Sequence, residues 1–69
     1  MRRIATPIVN IEGKYLTTMV IEIEGDQVIQ YYPLQKELPM TEWLPGEVQI
    51  KEDKFQLFHA YYNNKKLTE

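Results

Sequence analysis

The chain has 69 residues, no cysteine, and 8 basic against 10 acidic residues for a net charge of −2. A chain of this size is one domain, spanning residues 1–69, and buries only about 60% of the surface its unfolded form exposes. Disulfides and thiolate metal sites are excluded, and the weak charge offers no field to draw in nucleic acid or an anionic membrane.

Residues 3–9, Arg3-Ile-Ala-Thr-Pro-Ile-Val9, read as a first strand. Pro7 cannot donate to a ladder, so the strand is expected at a sheet edge or with a bulge. Asn10-Ile-Glu-Gly13 is a turn signal. Residues 14–24 form the longest strand, with Met19, Ile21 and Ile23 on one face and Val20, Glu22 and Glu24 on the other. The alternation is clean only from Met19 onward, and the glutamates mark the wetter face.

Gly25-Asp26 then separates this strand from Gln27 to Pro33, the pattern of a tight hairpin. Its register is open over residues 24–27. A two-residue loop pairs Ile23 with Val28 and Ile21 with Gln30, and suits glycine in a type II′ turn. A three-residue loop pairs Ile21 with Ile29 and Met19 with Tyr31, and sorts apolar from polar better. Turn chemistry favours the first. The strand carries apolar residues on both faces, Val28 and Tyr32 on one, Ile29 and Tyr31 on the other, so both faces are expected to be covered.

Pro33, Pro39 and Pro45 punctuate the next segment, where Thr41 is expected to cap a short helical turn over residues 41–44 that plugs one end with Trp43 and Leu44. Glu47 to Glu52 alternates strictly, with Val48 and Ile50 inward. Asp53-Lys54 is a turn. Residues 55–62 fit a strand or a helix capped by Asp53; aromatic enrichment favours the strand. Asn63-Asn64 turns the chain toward a short strand or a frayed end.

No catalytic constellation emerges. His59 is the only histidine, and apolar neighbours favour a structural role. Catalysis there would need a pocket holding it beside a carboxylate. Serine is absent, and Gly13, Gly25 and Gly46 all sit at turns rather than in a phosphate-cradling loop. Glu22 and Glu24, with Glu47, Gln49 and Lys51, read as a solvated β face with cross-strand lysine–glutamate pairs. Arg2-Arg3 and Lys65-Lys66 read as solvated ends. No stretch has the length of a membrane span or the core of a signal peptide, so the expected setting is cytoplasmic.

The segment Thr18-Met-Val-Ile-Glu-Ile-Glu-Gly-Asp-Gln-Val-Ile-Gln-Tyr-Tyr-Pro33, followed by Pro45-Gly46, resembles the small β domain that flanks the barrel of amidohydrolase-type metal enzymes. It covers about half the chain, lacks the His-x-His that follows in those enzymes, and implies shared β architecture, not hydrolysis. The whole chain, through Val28 to Pro33 and Leu38-Pro-Met-Thr-Glu-Trp-Leu44, is similar to short uncharacterised proteins of Bacteroides-type bacteria. That resemblance implies a fold and no activity.

These readings converge on an all-β domain: a curled antiparallel sheet or partly open barrel of five or six strands with one helical turn. The expected function is a non-enzymatic structural or protein-interaction module, without cofactor or metal. It self-associates, or binds a protein partner, through Val28, Ile29, Tyr31, Tyr32, Tyr61 and Tyr62, because tyrosine is enriched at interfaces and so thin a core calls for a supplement. The alternative is a small barrel that binds a ligand or single-stranded nucleic acid on its aromatic rings.

Overall fold

The computed structural model describes all 69 residues and is all-β. Seven strands run β1 (Arg2–Ile11), β2 (Lys14–Glu24), β3 (Gln27–Pro33), β4 (Glu42–Trp43), β5 (Glu47–Glu52), β6 (Phe58–Tyr62) and β7 (Lys65–Lys66). They form one sheet in the order β3-β2-β1-β5-β6-β7, with β4 also on β1. The sheet is mixed: β4 and β5 both run parallel to β1, and the other pairs are antiparallel. It curls without closing, and its Cα radius of gyration of 11.0 Å equals the roughly 11 Å expected of a compact chain this long. No helix is long and apolar enough to cross a membrane.

Local turn chemistry builds the hairpins. Glu12 and Gly13 have φ of 52° and 85°, and Asn63 and Asn64 have φ of 51° and 65°. Two positive-φ residues in a two-residue loop make a turn whose twist matches the strands it joins. At the third hairpin only Gly25 has positive φ, 64°, as the leading position of a type II′ turn requires.

Pro7 sits in an interior strand with no register shift, so neither the edge position nor the bulge expected of it is found. The ladder accommodates it on both sides. The β1–β2 pairing runs Thr6↔Met19 and Ile8↔Thr17 and passes over Pro7 and Thr18. On the other side β4 pairs with Ile4 and Ala5 and β5 with Ile8 to Ile11, so Pro7 falls in the gap between them. Thr18, across from it, takes a φ of 53°. This matched irregularity switches which residues face inward. Ile4 on β1 and Met19, Ile21 and Ile23 on β2 enter the core on one side of it; Val9 and Ile11 on β1 and Leu16 on β2 pack there on the other. Strict period-2 alternation over the whole strand therefore fails at Thr18, and both strands change phase together.

The core is completed by Val28, Val48, Ile50, Ala60 and Leu67, with Phe58, Tyr62 and Leu44 half-buried against it. It is thin, with only 15 of 69 residues buried. Residues 58–62 are a strand, and Asp53 organises the loop before it: its carboxylate accepts from the amides of Phe55 and Leu57 at 2.8 and 3.1 Å.

The helical turn expected over 41–44 is absent. Glu42 and Trp43 instead add β4 to the free side of β1, and the Leu44 amide donates to the Ala5 carbonyl at 2.9 Å. Thr41 does not cap a helix; its hydroxyl donates to the Pro39 carbonyl at 3.1 Å. Because side chains alternate along a strand, only Leu44 of the expected pair packs against the core, and Trp43 is exposed.

Candidate functional site

β3 is the first strand of the sheet, with β2 on one side and no strand on the other. It carries no charged residue. Near the turn Ile23 pairs with Val28, as the two-residue loop requires, but beyond it Glu22 pairs with Gln30, Ile21 with Tyr31 and Val20 with Tyr32. Ile29 is the extra residue of a β-bulge. The register beyond the bulge is neither of the two the sequence offered, because a bulge advances one strand by one residue and re-aims its side chains.

The bulge has two consequences. Ile29 is left 45% exposed and Tyr31, at the rim beside Ile21, 43% exposed. Gln30 and Tyr32 are turned onto the outer face, where they meet Glu22. Glu22 is only 4% exposed, not part of a solvated face. Its carboxylate accepts from the Tyr32 hydroxyl at 2.6 Å, the Gln30 amide at 2.6 Å and the Arg3 guanidinium at 3.0 Å. Arg3 also donates to the Pro39 carbonyl at 3.1 Å, fastening the 34–41 segment beside this cluster. The Tyr32 hydroxyl, then the Gln30 amide and Arg3, hold the Glu22 carboxyl below its ordinary value against the cost of burial. The same bond, with desolvation, pushes the Tyr32 phenol up. The cluster ties β3 to β2 and β1 through side chains as well as backbone.

The other expected interface residues are placed differently. Val28 lies in the core. Tyr61, half-buried, lies under the Lys51 ammonium, 5.4 Å from its ring centre. Tyr62 packs on the core and its hydroxyl donates to the Pro45 carbonyl. Tyr61 and Tyr62 thus belong to a different strand, β6, and of the expected residues the structure groups Ile29, Tyr31 and the half-buried Tyr32 on β3.

His59 is 6% exposed and does stand beside a carboxylate, with Nε2 2.7 Å from Asp53 Oδ2. Its Nδ1 lies 2.6 Å from the Asp26 carbonyl. Both ring nitrogens are engaged, and no surface depression reaches the pair. No three His, Cys, Asp or Glu side chains come together as a metal site.

The Glu22 cluster escaped the sequence reading, although a signal for it existed. A two-residue loop at Glu12-Gly13 places Arg3 directly across from Glu22. The contributions of Gln30 and Tyr32 depend on the bulge, which has no local sequence mark.

No family model matches the chain, and neither a curated protein nor a solved structure does.

Proposed function

We propose that the protein is a non-enzymatic interaction module that self-associates by pairing β3 with β3 of a second copy. The observation that carries this reading is the β3 edge: uncharged, without a strand partner, and exposing Ile29 and Tyr31. Unprotected edges of this kind template further strand pairing. A second copy supplies the same edge in antiparallel orientation, and a two-fold axis makes the contact self-complementary. Beyond the bulge, Gln30 to Tyr32 keeps regular pairing with β2, so an axis near Tyr31 aligns the two straight segments and stacks Tyr31 and Ile29 of both copies over the seam. Backbone hydrogen bonds supply the attachment and the side chains the register, as in other strand-addition complexes. The thin core supports the reading as well, because added sheet covers the rim of the existing one.

Sedimentation equilibrium from micromolar to submillimolar protein tests it. A reversible dimer that Ile29→Lys and Tyr31→Lys each weaken supports the proposal. A monomer throughout the range, or a dimer indifferent to both substitutions, overturns it.

A further inference from the structure

Three sets of contacts cross the open side of the curled sheet at the β2–β3 turn: the Gly25–Glu69 bonds, the Lys66–Asp26 ion pair and the His59 ring. The ring joins two loops that are distant in the chain: the β2–β3 turn, through the Asp26 carbonyl at 2.6 Å, and the β5–β6 loop, through Asp53 Oδ2 at 2.7 Å. The chemistry of the two partners decides the state of the ring. A carbonyl oxygen can only accept. The Asp53 carboxylate is held in its ionised form by two backbone amides on Oδ1, so Oδ2 also accepts. A neutral imidazole has one N–H and can satisfy one of the two; only the imidazolium donates to both.

We propose that His59 is a proton-operated latch. Protonated, it ties the β2–β3 turn at the root of β3 to the β5–β6 loop; deprotonated, it turns a lone pair on one acceptor and releases that tie. The charged groups around it divide. Asp53 of the β5–β6 loop favours the imidazolium first, and Lys66 of β7 opposes it. Lys51 of β5 is its cross-strand partner. The Asp26 carboxylate of the β2–β3 turn lies 3.8 Å from the Lys66 ammonium and offsets it. The net effect raises the His59 pKa above its ordinary value, with the Asp53 bond as the largest cause.

The sign follows. A raised folded-state value means that the latch is at full strength below the ordinary imidazole value, about 6.5, and is lost as pH rises through the folded value. Asp53 sets the acid limit: its carboxyl is lowered, chiefly by His59, so its half of the bond persists above the ordinary carboxylate range and fails as pH falls through the lowered value. The two-handed bond is complete between those limits. The backbone pair between Gly25 and Glu69, whose amide donates to the Gly25 carbonyl at 2.7 Å, lies beside it and contains no imidazole. Release is therefore confined to this tie and does not unfold the sheet.

The inference stands whether or not the protein dimerises. Its test is an NMR titration of the His59 ring nitrogens together with amide exchange, in the wild type and in Asp53→Asn. The asparagine oxygen still accepts from the Phe55 and Leu57 amides, while its amide nitrogen donates to Nε2 of a neutral ring, so the tie holds without a proton. The wild type is expected to titrate above the ordinary imidazole value. Once intrinsic base catalysis is removed, its amides at residues 25–28 should exchange about fivefold faster or more near pH 9 than near pH 6. In Asp53→Asn the ring titrates lower and the pH dependence of those amides disappears. A wild-type ring that titrates at or below the ordinary imidazole value of about 6.5, or identical pH profiles in the two proteins, overturns the latch. His59→Gln, if it folds, gives the same separation, and its failure to fold leaves the Asp53→Asn result decisive.

Discussion

The two ends of the sheet are built on opposite plans. β7, at one end, is two residues long and consists of Lys65 and Lys66. A short, charged edge resists further strand addition. β3, at the other end, is seven residues long, uncharged, and shows Ile29 and Tyr31 to solvent. The core does not account for the difference, since both edge strands flank the same thin core. What differs is the support behind each edge. β3 is held from the outer face by a buried carboxylate with three side-chain donors, while β7 is held by its pairing with Tyr61 and Tyr62, by the Lys66–Asp26 ion pair and by Leu67 just beyond it, which enters the core. A long, uncharged edge is open to another strand; a short, charged one is suited to end a sheet.

The contrast can be broken most severely at the anchor. Glu22→Ala leaves Arg3, Tyr32 and Gln30 without their shared acceptor and should cost about 3 kcal/mol, the loss typical of removing one side of a buried charged pair. For a domain whose total stability is about 3 to 10 kcal/mol, urea titration should show a protein unfolded or close to it.

Removing the receptive character of β3 without touching the anchor comes next. Ile29→Lys and Tyr31→Lys should each weaken self-association at least about tenfold, or about 1.4 kcal/mol. Both side chains are already exposed, so monomer stability should shift by no more than about 0.5 kcal/mol. Equal losses in association and monomer stability would show that β3 is core, not surface.

The reverse change sharpens the comparison. Lys65→Val with Lys66→Val strips the charge from the other edge, and light scattering should then show species larger than a dimer. An unchanged mass would mean that length, and not charge, protects β7.

A smaller effect is expected in acid. Glu22 titrates below its ordinary value in the folded protein. Its contribution is therefore complete above the ordinary carboxylate value of about 4.3 and is lost as pH falls through the lowered folded value. Urea midpoints should fall between pH 6 and pH 3, and Glu22→Gln should flatten that fall, at a cost near neutrality of about 2 kcal/mol. A slope unchanged by Glu22→Gln would place the acid sensitivity elsewhere.

Much of the fold was legible because it is written in short-range chemistry. Gly13, Gly25 and Asn63-Asn64 announce their turns through residues that tolerate positive φ, although the signal read over Asn10 to Gly13 narrows to Glu12-Gly13, and Val48 and Ile50 announce an inward face by alternation. The parallel pairing of β1 with β4 and β5 was not legible. It joins segments about forty residues apart, and no local pattern encodes a partner at that range. The helical turn expected at Thr41 failed for the same reason: its residues are compatible with a cap, but the free side of β1 at Ile4 and Ala5 offers a better set of hydrogen bonds. The candidate site was half visible. The excess of apolar residues on β3 marked Ile29 and Tyr31, yet the bulge that exposes Ile29 and delivers Gln30 and Tyr32 to Glu22 arises from strand pairing, and alternation alone had assigned Glu22 to water.

The central claim, that β3 is the face one copy presents to another, is tested most directly by an isotope-filtered NOE experiment on a mixture of labelled and unlabelled protein. The account predicts intermolecular NOEs from Ile29 and Tyr31 to β3 of the partner. An associated protein whose intermolecular NOEs come from β6 or β7, or a sample with none at all, would contradict it.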